Sequence, residues 1–313
     1  MTRNNSKEYE VFELKNVTTG QVVNTSIIEV SPGTQISTKI TTEGQRESYK
    51  GHEDSVEGMR EHYENDKFIH LIYKYYDIIF KELQEKAPGN KCNIHIIRFI
   101  ILATYQTFHG TLSNNGHRIK KSALKKIWDT ENKNGINETY NLLMECGYIY
   151  ATEEGFLMIN EDMVIKGAIK DYIKELRKQD SNYTCVRIFV DTVQEMYYGT
   201  EPKQRKILAN LFKILPYINY KWNAFCKNPE ETDITKLEPL TWTDLARICG
   251  YEENKNIAKF KKDLMSLKVY GNDVIGEFTR GLNKKRIIVN PGVYYAGINK
   301  DDLKGIEDYF RMK

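Results

Sequence analysis

The sequence predicts a mainly α-helical chain with small β ribbons (α+β), built from one module used twice in tandem behind an N-terminal β-hairpin. Three observations lead there. Apolar periodicity switches between the strand value of two and the helical value several times along the chain. The same order of segments runs twice, with a period of about 120 residues. Both copies end in two short strands around a glycine-containing turn.

The bulk numbers leave room for this. The chain has 313 residues, 40% apolar and 12% aromatic, enough for a sizeable core and too apolar for a disordered chain. A net charge of +3 neither demands nor excludes a polyanionic partner, so local clustering must decide. The five cysteines lie far apart without a C-x-x-C pair, against a disulfide framework or a zinc site. The N-terminus lacks an apolar signal core, and the richest apolar run, IHIIRFIILATY (94–105), is too short to span a bilayer. The expectation is a cytoplasmic protein with no membrane partner, no metal and no cofactor.

Residues 1–40 form the hairpin segment, with YEVFELKNVTTGQVVNTSIIEV (9–30) alternating about Thr19-Gly20. Residues 41–66 read as an acidic, aperiodic linker. The first repeat, 67–170, opens with KFIHLIYKYYDIIFKEL, strand-like and then helical, followed by the buried helix NIHIIRFIILATYQTF. SALKKIWD is a short helix with Ser122 as its cap, GINETYNLLMECGYI a longer one, and YIYATEEGFLMINEDMVIKG a ribbon turning at Glu154-Gly155. A connection, 171–184, leads to the second repeat, 185–298. There CVRIFVDTVQEMYYG, PKQRKILANLFKILPYI, TWTDLARICG, NIAKFKKDLMSL and DVIGEFTRGLNKKRIIVNP follow in the same order. Setting Leu143 on Leu264 also sets Ile136 on Ile257. A terminal amphipathic helix, 299–313, carries Leu303, Ile306 and Phe310 on one face, to pack on its own domain or on a second copy. Helices closed by a two-strand ribbon are the order of a winged helix. The predicted architecture is therefore two tandem winged-helix domains plus the N-terminal β-hairpin.

In the second domain Gly250 sits where a helix-turn-helix needs a residue tolerant of positive φ, and Thr241 or Thr243 can cap the first helix. Ile257 and Phe260 supply the inward face of the next helix. Asn254, Lys255, Asn256 and Lys259 then occupy its opening turns, where side chains of a reading helix meet adenine and guanine edges. Lys261, Lys262 and Lys268 are placed for phosphates. The ribbon tip adds Arg280, Lys284, Lys285 and Arg286, suited to the backbone or the minor groove. A lysine-rich exposed face is common without any such role, but two basic clusters flanking one helix-turn-helix exceed what solubility requires.

The first domain differs. Its basic residues precede the reading helix: Arg118, Lys120, Lys121, Lys125 and Lys126. Lys133, Asn134 and Asn137 are its candidates for base contact, while the ribbon ATEEGFLMINED is acidic and would repel phosphate. A scaffold or dimerisation role fits it equally well. Catalytic patterns are thin. HIIR (95–98) has a recombinase-like shape but sits inside an apolar helix, and no phosphate loop or nucleophile elbow occurs, so no enzyme is expected.

CVRIFVDTVQEMYYG, FKILPYINYKWNAFCKNP, PLTWTDLARICGY and RIIVNPGVYYAG, in that order, resemble winged-helix DNA-binding proteins of phages and plasmids of Gram-positive bacteria, replication-initiator-like proteins and related regulators. The likeness covers about residues 185–298 and more faintly 68–167. It implies binding to double-stranded DNA at an operator or an origin, without chemistry of its own. A transcription regulator is the first expectation and an initiator at origin repeats the alternative. A winged-helix scaffold for a host protein is the reading from another class. A homodimer and host replication or transcription proteins are the further partners these readings allow.

Overall fold

The structure, a computed structural model, describes residues 8–15, 22–30, 68–87, 90–166, 185–280, 284–291, 293–294, 306 and 310. The expected turn at Thr19-Gly20, the linker 41–66, the connection 171–184 and Leu303 lie outside them. The chain divides into two units, 1–51 and 52–313.

In the first unit β1 (Glu8–Lys15) and β2 (Val22–Val30) pair antiparallel, with Val11 opposite Ile27. The alternation read from the sequence is thus a hairpin ladder.

The second unit is mixed α+β. Its first half runs β3 (Phe68–Ile72), α1 (Tyr73–Lys86), α2 (Asn90–Ala103), β4 (Ser113–Asn114), β5 (His117–Arg118), α3 (Leu124–Ile127), α4 (Lys133–Glu145), β6 (Ile149–Ala151), β7 (Leu157–Ile159) and β8 (Val164–Ile165). The second half runs β9 (Cys185–Phe189), α5 (Val190–Gly199), α6 (Lys206–Ile214), α7 (Trp242–Ile248), α8 (Asn254–Met265), β10 (Lys268–Val269), β11 (Asn272–Asp273), β12 (Ile275–Arg280) and β13 (Lys284–Val289).

Individual hydrogen bonds repeat between the halves. Leu112 N–H donates to the Leu157 carbonyl and Ile119 N–H to that of Leu112; Phe225 N–H donates to Ile287 and Leu240 N–H to Phe225. These bonds add a strand to each ribbon and deliver the chain to the start of the next helix. After each ribbon an asparagine closes the module. Asn160 reaches the Gly147 carbonyl through its side chain, and Asn290 reaches that of Asp273. The ribbon expected at 148–167 turns at Gly155, whose φ of +79° needs glycine.

The halves meet face to face. β3 and β9 pair antiparallel, Phe68 opposite Phe189, His70 opposite Arg187 and Ile72 opposite Cys185. Each strand runs directly into a helix, so Ile72 and Phe189 are equivalent positions, as are Phe68 and Cys185. Every position therefore pairs with the equivalent of its own mirror, the pattern a two-fold axis imposes. The equivalent helices α2 and α6 pack together on the same axis, joined by Asn93 Nδ2 donating to Asn210 Oδ1 at 3.1 Å. That explains why α2 is buried nearly all round: Ile96, Ile97, Phe99, Ile100, Ile101 and Leu102 are all buried, because both halves cover it.

One local expectation needs correction. Ser122 caps nothing; the helical chain starts as a 3-10 turn, Lys121–Ala123, whose N-cap is Lys120. Of the two packings expected for the terminal stripe, its described residues take the one on their own chain: Phe310 is buried with Ala224, Cys226, Leu237 and Ile288, and Ile306 packs against them.

Candidate nucleic-acid interface

Thr241 opens α7 through a capping box: its hydroxyl accepts from Asp244 N–H, and Asp244 accepts back from Thr241 N–H at 2.9 Å. The hydrogen bonds from Thr241 hold the Asp244 carboxyl below its ordinary value. α7 stops at Gly250, φ +85°, and α8 leaves from there. Phe260 and Leu264 bury one side of α8, with Ile257 and Met265 packed beside them.

The other side is a stripe of lysines. Lys255, Lys259 and Lys262 follow at helical spacing and are exposed. Lys259 and Lys262 have no ion-pair partner among the described residues, whereas Lys255 Nζ lies 3.0 Å from Glu253. The helix start, expected to be the reading end, carries exposed Glu252 and Glu253. Acid there suits the helix dipole but opposes phosphate, which moves the basic surface one turn along. Asn254 is exposed, and Asn256 is half-buried with its amide 3.4 Å from Glu253.

Three residues expected at phosphates are employed within the fold. Lys261 Nζ sits 2.6 Å from Glu277 Oε1, and Trp242 Nε1 donates to the same oxygen at 2.6 Å. The ammonium also lies over the Trp242 ring at 5.4 Å. Glu277 belongs to β12, so this clasp ties the ribbon to both helices, and the Lys261 hydrogen bond holds its carboxyl below the ordinary glutamate value. Arg286 is buried, with Nη2 donating to the Ile234 carbonyl at 3.1 Å. From Arg286 onward β13 is covered on both faces, Ile287 by the main core and Ile288 by the small cluster. Lys268 pairs with Asp273. Lys285 is exposed beside this clasp, and Arg280 lies opposite Lys284 at the ribbon end, where only backbone is described.

In the first half Lys120 bridges Phe156, which brings the basic residues onto the ribbon itself. Arg118 and Lys120 flank the Phe156 ring at 4.3 and 4.6 Å, and Lys121 covers Tyr140 at 4.3 Å. The ribbon's acidic turn is therefore met by a cation, with Arg118 3.8 Å from Glu154 on the same surface. Lys125 pairs with Glu131 at 2.5 Å, while Lys126, Lys133, Asn134 and Asn137 are exposed. Asn132 caps α4, accepting from Gly135 N–H at 3.0 Å.

His95 and Arg98 are core residues under α4. His95 Nδ1 meets Thr139 Oγ1 at 2.9 Å, and burial lowers its pKa, keeping the ring neutral near pH 7. Arg98 donates to the Gly135 carbonyl and to Thr139, each at 2.7 Å. The thiol of Cys249 is pushed up to about 12 by burial, far from a reactive nucleophile. Among the described residues no group of three His, Cys, Asp or Glu could hold a metal ion. No helix among them is long and apolar enough to cross a membrane. No family model matches the chain, and neither a curated protein nor a solved structure matches it.

Proposed function

We propose that the chain binds double-stranded DNA at specific sites through two winged-helix halves and acts as a transcription regulator. The observation that carries this reading is the exposed stripe Lys255, Lys259 and Lys262 on α8, flanked by Lys285 on the adjoining ribbon. A helix of about 12 Å diameter with side chains fits the B-DNA major groove, and a basic ribbon beside it reaches the neighbouring phosphates. Lys259 and Lys262 are offered to the ligand, and Asn254 stands at the helix start.

The two-fold relation between the halves adds a second expectation. If α4 reads as α8 does, through Lys133, Asn134 and Asn137, the site has two parts of different sequence related by an approximate dyad. A promoter location of such sites fits a regulator, and clustered copies within an origin fit an initiator.

The test is selection from a pool of random duplexes at about physiological salt, near 0.15 M. An enriched motif supports the reading, and retention without enrichment reduces the lysines to a phosphate grip. No retention would remove DNA binding altogether.

A further inference from the structure

The turn between α3 and α4 differs from its counterpart at one decisive position. The offset that sets Leu143 on Leu264 sets Asp129 on Gly250. Both have left-handed backbone, φ +42° at Asp129 and +85° at Gly250. Glycine adopts it freely, whereas an aspartate must be held there against its steric preference.

Arg205, on the loop of the other half and 3% exposed, does the holding. Its Nη2 lies 2.7 Å from Asp129 Oδ2, and its Nη1 donates to the Asp129 carbonyl at 3.3 Å. Its Nε donates to the Tyr197 carbonyl at 2.9 Å, and its guanidinium stacks over the Tyr197 ring at 4.4 Å. Tyr197 and Tyr198 hydroxyls donate to the Trp128 and Ile127 carbonyls at 2.8 and 2.9 Å. Three consecutive carbonyls that close α3 thus accept from side chains of the second half. Such carbonyls are orphaned by the helix end, and a buried guanidinium is a suitable partner for them.

We infer that the Asp129–Arg205 clamp determines the spacing between the two parts of the DNA site, by locking the first half's reading helix to the second half. This rests on the DNA-reading proposal. Asp129, Arg205 and Tyr198 are positioning residues. α4 begins four residues beyond Asp129, so the turn sets where that helix lies. A rigid pair of reading helices accepts one separation and one rotation about the duplex, while a loose pair accepts several.

The experiment compares wild type with Asp129→Gly, which suits the backbone while removing the carboxylate, and Tyr198→Phe, which drops one hydroxyl at a half-exposed ring. Each is selected against random duplexes. Wild type is expected to enrich a two-part motif at one spacing. Both variants should keep the two parts and lose preference for that spacing over its neighbours: about tenfold for Asp129→Gly, the worth of one hydrogen bond to a charged group, and about threefold for Tyr198→Phe, whose bond to the Ile127 carbonyl is neutral. Unchanged spacing preference in both variants overturns the clamp, whatever their unfolding temperatures. A one-part motif from wild type overturns it too, while leaving DNA reading intact. A readout without DNA separates the two ideas. Distances between labels on non-natural residues at Asn141 and Lys262, exposed equivalents on α4 and α8, should spread in both variants; unchanged widths overturn the clamp even if no duplex is retained.

Discussion

Replacing Glu277 should destabilise the second half and make the proposed DNA binding more salt-dependent at the same time. The carboxylate oxygen Oε1 accepts from Lys261 and Trp242, each at 2.6 Å. Glu277→Ala leaves the half-buried indole N–H without its acceptor, a cost of about 1–3 kcal/mol. The ion pair adds little, because the Lys261 side chain is 41% exposed and solvent screens it. For a unit of this size the sum lowers the unfolding midpoint by about 2–8 °C. Glu277→Gln keeps an acceptor for Trp242 and should lose less. Freed from its partner, Lys261 can reach phosphate, and the slope of log affinity against log salt should steepen by about one unit. The pH dependence follows from the lowered carboxyl pKa. The charge-dependent part of its contribution is fully present above the ordinary glutamate value and fades as the pH falls through the lowered one, so the gap in stability between wild type and Glu277→Ala should narrow in acid without closing, because the protonated carboxyl still accepts from Trp242. Thermal unfolding followed by tryptophan fluorescence, at neutral and acid pH, with salt titrations of duplex affinity, measures all of this. Unchanged midpoint and unchanged salt slope in Glu277→Ala would refute the clasp.

Other positions give sharper contrasts. Gly250→Ala meets no atom nearer than Gln84 Nε2 at 3.7 Å, so its cost is backbone strain alone, about 1–2 kcal/mol in denaturant unfolding. Thr241→Ala removes the α7 cap and should cost about 0.5–2 kcal/mol in the same assay, with Thr241→Ser restoring most of it. Lys259→Ala should cost about 1–3 kcal/mol at the cognate duplex and relax specificity, whereas Lys285→Ala should weaken all duplexes alike and flatten the salt slope by about one unit. Arg286→Ala, by contrast, should lower the unfolding midpoint and leave the salt slope of the folded protein unchanged, because its guanidinium faces the Ile234 carbonyl and not the solvent.

Helices and ribbons were legible because each carries its own period. Ile136, Leu143, Phe260 and Leu264 announce buried faces by spacing alone, and all four are buried. The strand segments around Leu112 and Phe225 left no such trace. They contribute a few backbone bonds each, too short to show alternation. Partner choice was equally silent: nothing in FIHLI or CVRIF says that they pair with one another. The burial of Arg286 is not legible in the sequence, because a basic residue beside a turn looks exposed until the Ile234 loop is seen to cover it. Asp129 and Arg205 are 76 residues apart, and only the repeat offset hinted that an aspartate stands in a glycine's place.

The two halves also spend their cations differently, and that difference outweighs the bulk charge. With 46 basic against 43 acidic residues, any strong positive field must be local. In the first half Arg118, Lys120 and Lys121 lie against aromatic rings, and Lys125 is ion-paired. Held cations lose less entropy on meeting a phosphate, but Arg118 and Lys125 must first give up a carboxylate. In the second half Lys259 and Lys262 stand on one helix face without an ion-pair partner among the described residues, while Glu277 disciplines Lys261. A surface of unpaired lysines attracts any duplex early and strongly; a pre-set, partly neutralised one rewards only a well-placed duplex. On the DNA-binding reading the second half therefore supplies the grip. The first half supplies discrimination only if the Arg205 anchor at Asp129 holds α4 in its fixed place.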